Sequence, residues 1–170
     1  MNTPFTDDEI TSLTMLPSLI GSAVAFSAKS GPIGTAKEMM ANAKAATAGK
    51  KDYPDNSIIQ KIMPNFAGAS EAMEVAKARQ EEHAEQLKEA EVKSVDDMRA
   101  HAFAQVTAVN ALLDAKADPT EAAQYREWVL GIGQAVAEAA KEGGFFGIGG
   151  EEISPGETEA LAEITSRLGL

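Results

Sequence analysis

Residues 6–31 read TDDEITSLTMLPSLIGSAVAFSAKSG, and residues 118–143 read DPTEAAQYREWVLGIGQAVAEAAKEG. The two stretches align without a gap at an offset of 112. Both carry the pattern I-G-x-A-V-A-x-x-A-K-x-G: Ile20, Gly21, Ala23, Val24, Ala25, Ala28, Lys29 and Gly31 stand opposite Ile132, Gly133, Ala135, Val136, Ala137, Ala140, Lys141 and Gly143. The starts agree as well. Thr6 with Glu9, and Asp118 with Glu121, each put an N-cap oxygen three residues before a glutamate able to reach back to the cap N–H. A repeat this long points to two related halves packed about a pseudo-twofold axis.

Working outward, helix starts and stops are legible along the chain. Thr35 with Glu38 forms another capping box, opening a helix expected to run to about Ala48, with Gly49 as its stop. Lys50 to Asn56 reads as a loop, and Ser57 as the cap of a short apolar turn from Ile58 to Met63 that Pro64 ends. A long helix is expected over about 65–91, its stripe made by Phe66, Ala69, Met73, Ala76, Leu87 and Ala90 and interrupted by Gln80 and His83. Ser94 with Asp97 restarts the chain, and the next helix, Val95 to about Ala117, turns Val95, Met98, Ala102, Val106, Val109 and Leu113 inward. The two form an antiparallel hairpin. Its charged tip, from about Gln80 to Arg99, is expected to project from the body, leaving His83 and His101 exposed.

Asp118-Pro119 opens the second copy, which ends at Gly143. Ser154-Pro155-Gly156-Glu157 starts a final helix that closes at Leu168. Thr35 with Glu38 thus corresponds to Ser154 with Glu157. No period-two run of β-branched residues is present. The expected fold is an all-α bundle of about six or seven helices in a single domain, 1–170. Its first repeat spans 6–49, a central helical hairpin 57–117 and the second repeat 118–170.

Pro17 lies inside the first long helix, where it removes the bond to the Leu13 carbonyl and predicts a kink or break between Leu13 and Pro17. Residues 10–28 contain no charge. They read as a core helix rather than a signal or membrane span: Asp7, Asp8 and Glu9 precede them, and the second copy holds Glu121, Arg126, Glu127 and Glu138.

Composition limits function. The formal charge of −11 opposes nucleic acid and anionic membrane partners. The absence of cysteine removes disulfides, thiolate metal sites and cysteine nucleophiles, and fits a reducing, cytoplasmic setting. Candidate sites are few. Lys29 and Lys141 occupy the last turns of the repeated helices, where a cation meets the negative end of the dipole; the alternative is an anion site near the axis. His83, His101 and Asp97 could approach one another across the hairpin as an oxygen–nitrogen metal set, although no Glu-x-x-His pair accompanies them. In Gly143 to Gly150, neither the preceding strand nor the following Lys-Ser/Thr of a phosphate loop is found. Phe145, Phe146 and Ile148 read as apolar plugs, or else as a partner-binding tip. No nucleophile–base spacing emerges, and no cofactor is implied.

A long helix ending in a small-residue turn, followed by a Ser/Thr cap and a glutamate three residues on, resembles the tellurite-resistance protein B superfamily. The closest stretch runs from Ala139-Ala140-Lys141-Glu142-Gly143 through Ile153-Ser154-Pro155-Gly156-Glu157 to Leu168-Gly169-Leu170. The resemblance implies a bacterial, all-helical protein of duplicated halves. The acidic metal-binding turn of that family is replaced by Lys29-Ser30-Gly31 and Lys141-Glu142-Gly143, so no site residue follows from it. The expected function is a non-enzymatic interaction, structural or stress-related protein, with an unidentified protein partner and unknown oligomeric state. A metal- or anion-binding bundle is the alternative, and an enzyme the least expected class.

Overall fold

A computed structural model describes residues 4–27, 32–63, 90–141 and 153–170, and, between these, Glu74, Lys77, Ala78, Glu81, Ala84, Glu85, Leu87 and Lys88. The described residues form an all-α bundle of six helices with no strand: α1 (Asp7–Ala25), α2 (Pro32–Asp52), α3 (Ser57–Ile62), α4 (Val95–Lys116), α5 (Pro119–Lys141) and α6 (Pro155–Leu168). No described helix is long and apolar enough to cross a membrane.

The main core joins Leu13, Leu16, Ile20 and Val24 of α1 to Val129, Ile132 and Val136 of α5. Ile58 and Ile59 of α3, Val106, Val109 and Leu113 of α4, and Ile164 and Leu168 of α6 complete it. A second cluster, Met15, Leu19 and Ala23 with Met98 and Ala102, lies between α1 and α4, with Leu87 and Val92 packed on it. α1 is therefore the central helix, apolar on nearly every side, which accounts for its uncharged run. Burying these side chains contributes about 1.5–3 kcal/mol for each large one.

The helix ends follow local chemistry, with several corrections. Thr6 and Glu9 form the reciprocal box expected of them (Thr6 N–H to Glu9 2.8 Å, Glu9 N–H to Thr6 3.3 Å), as do Ser154 and Glu157 (2.8 and 3.3 Å). Asp118 makes only half of one. Its carboxylate accepts from Thr120 N–H at 2.8 Å, while Glu121 turns away to accept Ser57 N–H at 2.6 Å. The cap of α3 is Asn56, not Ser57: buried Asn56 accepts Ile59 N–H at 3.0 Å and donates to the Glu121 carbonyl at 2.9 Å, fastening α3 to α5. α2 starts at Pro32, so Thr35 and Glu38 lie within it rather than opening it.

Pro17 does not break α1, which runs unbroken from Asp7 to Ala25. The reason is a neighbour. The buried Tyr125 hydroxyl donates to the Leu13 carbonyl at 2.7 Å, taking the place of the N–H that proline lacks. Burial pushes the Tyr125 phenol well up from its ordinary range, so it stays protonated and remains a donor.

Within the tip expected to project, most of the described residues are exposed, but not all. Leu87 and Val92 pack on the second cluster, Met98 is buried, and His101 is half-buried. Glu91 takes the left-handed conformation (φ 54°) as Val92 N–H closes onto the Leu87 carbonyl at 2.9 Å. The apolar residues on both sides of this turn hold it to the cluster between α1 and α4. Glu81, Glu85, Lys88 and Glu91 stay in solvent. Val95, expected inside, is exposed in the first turn of α4, whereas Met98, Ala102, Val106, Val109 and Leu113 are buried as their spacing predicts. Gln80 and His83 lie outside the described residues.

Candidate functional site

The two sides of α2 differ in what they touch. Its alanines, at 36, 41, 43, 45, 46 and 48, favour helix without requiring a deep groove. Its last turn carries Lys50 and Lys51, favourable at the negative end of the dipole. The Lys50 ammonium donates to the Met63 carbonyl at 2.6 Å, and the Gln60 amide donates to the Lys50 and Tyr53 carbonyls at 2.7 and 3.0 Å. These bonds satisfy the carbonyls that a helix C-terminus leaves open, and they lock α2 to α3.

On its inner side α2 is held by two insertions. Asn42 donates to the Pro17 carbonyl at 3.1 Å and sits directly over Gly21, where an added Cβ would lie 1.5 Å from the Asn42 amide nitrogen. Gly49 receives the Trp128 indole, whose Nε1 would lie 2.1 Å from a Cβ there. Gly49 is therefore an interior packing residue, and the helix continues past it to Asp52. Glu38 is fully buried on this same side. α2 packs more extensively on α5 than on any other helix.

The outer side is open. Met39 and Met40 are 60% and 73% exposed, the two most exposed large apolar residues among those described. Ala36, Ala43 and Thr47 are exposed beside them. Lys37, Lys44 and Lys51, seven residues apart and all exposed, form one edge of this surface. Among the described residues neither Lys44 nor Lys51 takes part in an ion pair. Sequence reasoning missed this face. With alanines around most of α2, periodicity does not say which side is outside; only the seven-residue lysine spacing beside Met39-Met40 signals it.

A second surface is a groove of about 280 Å³ between α1 and α4, lined by Asp8, Thr11, Ser12, Met15, His101 and Gln105, among others. Burial holds the His101 imidazole below its ordinary range, so near neutral pH it stands uncharged there. Asp97 lies one turn earlier on α4 but is committed locally: its carboxylate accepts Lys93 N–H at 3.1 Å and its own N–H donates to Ser94 at 3.0 Å. Among the described residues no group of three or more His, Asp or Glu side chains is placed to hold a metal ion. His83 lies outside the described residues.

The other sequence candidates are placed as follows. Lys29, Phe145, Phe146 and Ile148 lie outside the described residues, and of Lys141 only the backbone, in the last turn of α5, is described. Glu38 of α2 and Glu157 of α6, which correspond in the sequence, share an unexpected feature: both are buried. One Glu157 oxygen accepts from Ser154; the other has no hydrogen-bond partner among the described residues. α6 enters so close to the end of α1 that a Cβ at Gly156 would lie 2.4 Å from the Ser27 carbonyl oxygen. No protein-family model, curated protein or solved structure matches the chain.

Proposed function

We propose that this protein is a non-enzymatic interaction module, a helical bundle that presents the outer face of α2 to a protein partner. The observation that carries this reading is the exposure of Met39 and Met40 on a helix whose other side is fixed by Asn42, Gly49 and Glu38. Exposed apolar side chains clustered on a rigid element are the usual raw material of an interface. Methionine is well suited to it, because its flexible thioether adapts to a partner surface. The α1–α4 groove favours an enzyme less, since Asp8 and His101 are the only titratable residues lining it and no hydrogen bond joins them among the described residues.

The reading includes an internal duplication of 6–48 and 118–168. Several observations support it. Ile20 and Val24 are as buried as Ile132 and Val136. Gly21 and Gly133 both face a close neighbour on another helix: a Cβ at Gly21 would clash with Asn42, and one at Gly133 would meet Leu161 and Ile20 tightly at 3.0 and 3.2 Å. Leu13 and Tyr125, opposite each other in the alignment, touch through the hydrogen bond between them. Kinship with the tellurite-resistance protein B superfamily belongs to the same proposal and rests on the sequence pattern.

The test is photo-crosslinking in the cells that make the protein, with a photoreactive residue at position 40 and, as control, at position 159. Glu159 is equally open to solvent but lies on α6. A discrete adduct from position 40 and none from 159 is expected. Equal labelling from both positions, or none from either, would contradict the reading.

A further inference from the structure

We infer that the partner seated on α2 is an acidic amphipathic helix, lying along the lysine row with its apolar edge on Met39, Met40, Ala36 and Ala43. The inference rests on the interaction reading above and adds the chemistry of the occupant.

Helical geometry separates the exposed face of α2 into two strips. At 3.6 residues per turn, Lys37, Lys44 and Lys51 recur every two turns, about 10.5 Å apart along the axis. Ala36, Met40, Ala43 and Thr47 run beside them at three- and four-residue spacing, with Met39 one position further round. Ala36 and Ala43 let another backbone come close, while Met39 and Met40 fill the space beside it. This is the receiving surface of helix-on-helix recognition, read by anchors at i, i+3, i+4 and i+7. The matching ligand carries carboxylates two turns apart along one edge of an apolar seam.

Charge selects the occupant. The chain holds 26 acidic and 15 basic residues, of which α2 contains two and four. One of those two acids, Glu38, is buried, leaving Asp52 at the end of the helix. A basic strip on a strongly acidic molecule is a local attraction within a long-range repulsion. An extended anion such as a bilayer or a nucleic acid would meet the whole net charge of −11 along with the strip. A single helix, about 10 Å across, meets chiefly the strip, because charges more than about 8–10 Å away are screened at physiological salt. Charged rims of this kind set orientation and association rate, while the apolar seam supplies contact.

The experiment uses the full chain and three synthetic helical peptides with one Leu/Ala seam, their flanking edge filled with Glu, Gln or Lys. Binding is read by fluorescence anisotropy. The Glu peptide should bind about tenfold more tightly than the Gln peptide, and the Lys peptide more weakly still. Raising salt from about 50 to about 300 mM should erase most of that preference. The double substitution Lys44→Glu and Lys51→Glu should invert the order, and Met40→Asp should weaken all three. These are exposed positions, and circular dichroism checks that the helices persist. Charge-independent binding, no binding by any peptide, or an unchanged order after the lysine substitutions would overturn the inference. So would self-association, or binding to phosphatidylserine vesicles, that the Lys44 and Lys51 substitutions abolish. A specific adduct from position 40 with no preference for the Glu peptide would sink the acidic helix while leaving the interaction reading intact.

Discussion

The carbonyl oxygen of Leu13 would ordinarily accept from the backbone N–H at position 17, which proline lacks. Tyr125 supplies the missing donor from α5, 112 residues away. A buried carbonyl left without a partner costs about 1–3 kcal/mol, so Tyr125→Phe should destabilise the protein by about that amount. In a Pro17→Ala background the backbone N–H returns, and the same tyrosine substitution should cost less than about 1 kcal/mol. Urea denaturation of the four proteins in that cycle checks the coupling; equal costs in both backgrounds would contradict it. At this scale the sequence is half legible. Pro17 announces a missing bond, and alignment of the repeats even puts Leu13 opposite Tyr125. Nothing in either stretch, however, says that these positions touch, so the proline by itself predicts a kink or break there. Asn56 and Ser57 make the same point. Both are good caps, and the one used is Asn56, whose amide is anchored on another helix by the Glu121 carbonyl and the Gln124 side chain.

Among the elements, helix existence follows from capping chemistry and apolar spacing, and its ends are decided by tertiary partners. α4 shows the first: its buried stripe from Met98 to Leu113 follows the spacing residue by residue. α2 shows the second. A glycine before two lysines looks like a helix stop, yet Gly49 lies inside α2 because Trp128 needs the space that a side chain would take. The sign of a Gly49→Ala substitution separates these roles. At an unobstructed helix position alanine would stabilise by about 1 kcal/mol. Against the Trp128 ring, where the added Cβ would lie 2.1–2.7 Å from three indole atoms, it should destabilise by about 1–3 kcal/mol. Thermal denaturation reads the sign directly, and a raised midpoint would contradict the packing role. The hairpin turn belongs here too. Its charges point to solvent, but Leu87, Val92 and Met98 decide where it rests, and three scattered apolar residues are a weaker signal than a run of glutamates.

For the molecule as a whole, α2 has an inner side packed into the bundle and an outer side that stays exposed. The all-α class was readable from capping signals and the absence of strand patterns. The candidate interface was not, because an exposed methionine and a buried one look alike until the neighbours of α2 are known. If the division is right, the double substitution Met39→Ser and Met40→Ser touches no folding contact. Such exposed positions usually change stability by no more than about 0.5 kcal/mol. The direct measurement is the free energy of unfolding in urea for the double variant beside the parent chain. The values should agree to within about 0.5 kcal/mol for each residue, with an unchanged denaturant slope. A loss of more than about 2 kcal/mol, the scale of removing buried methionine side chains, would show that the chain itself covers this face and would contradict its role as a docking surface.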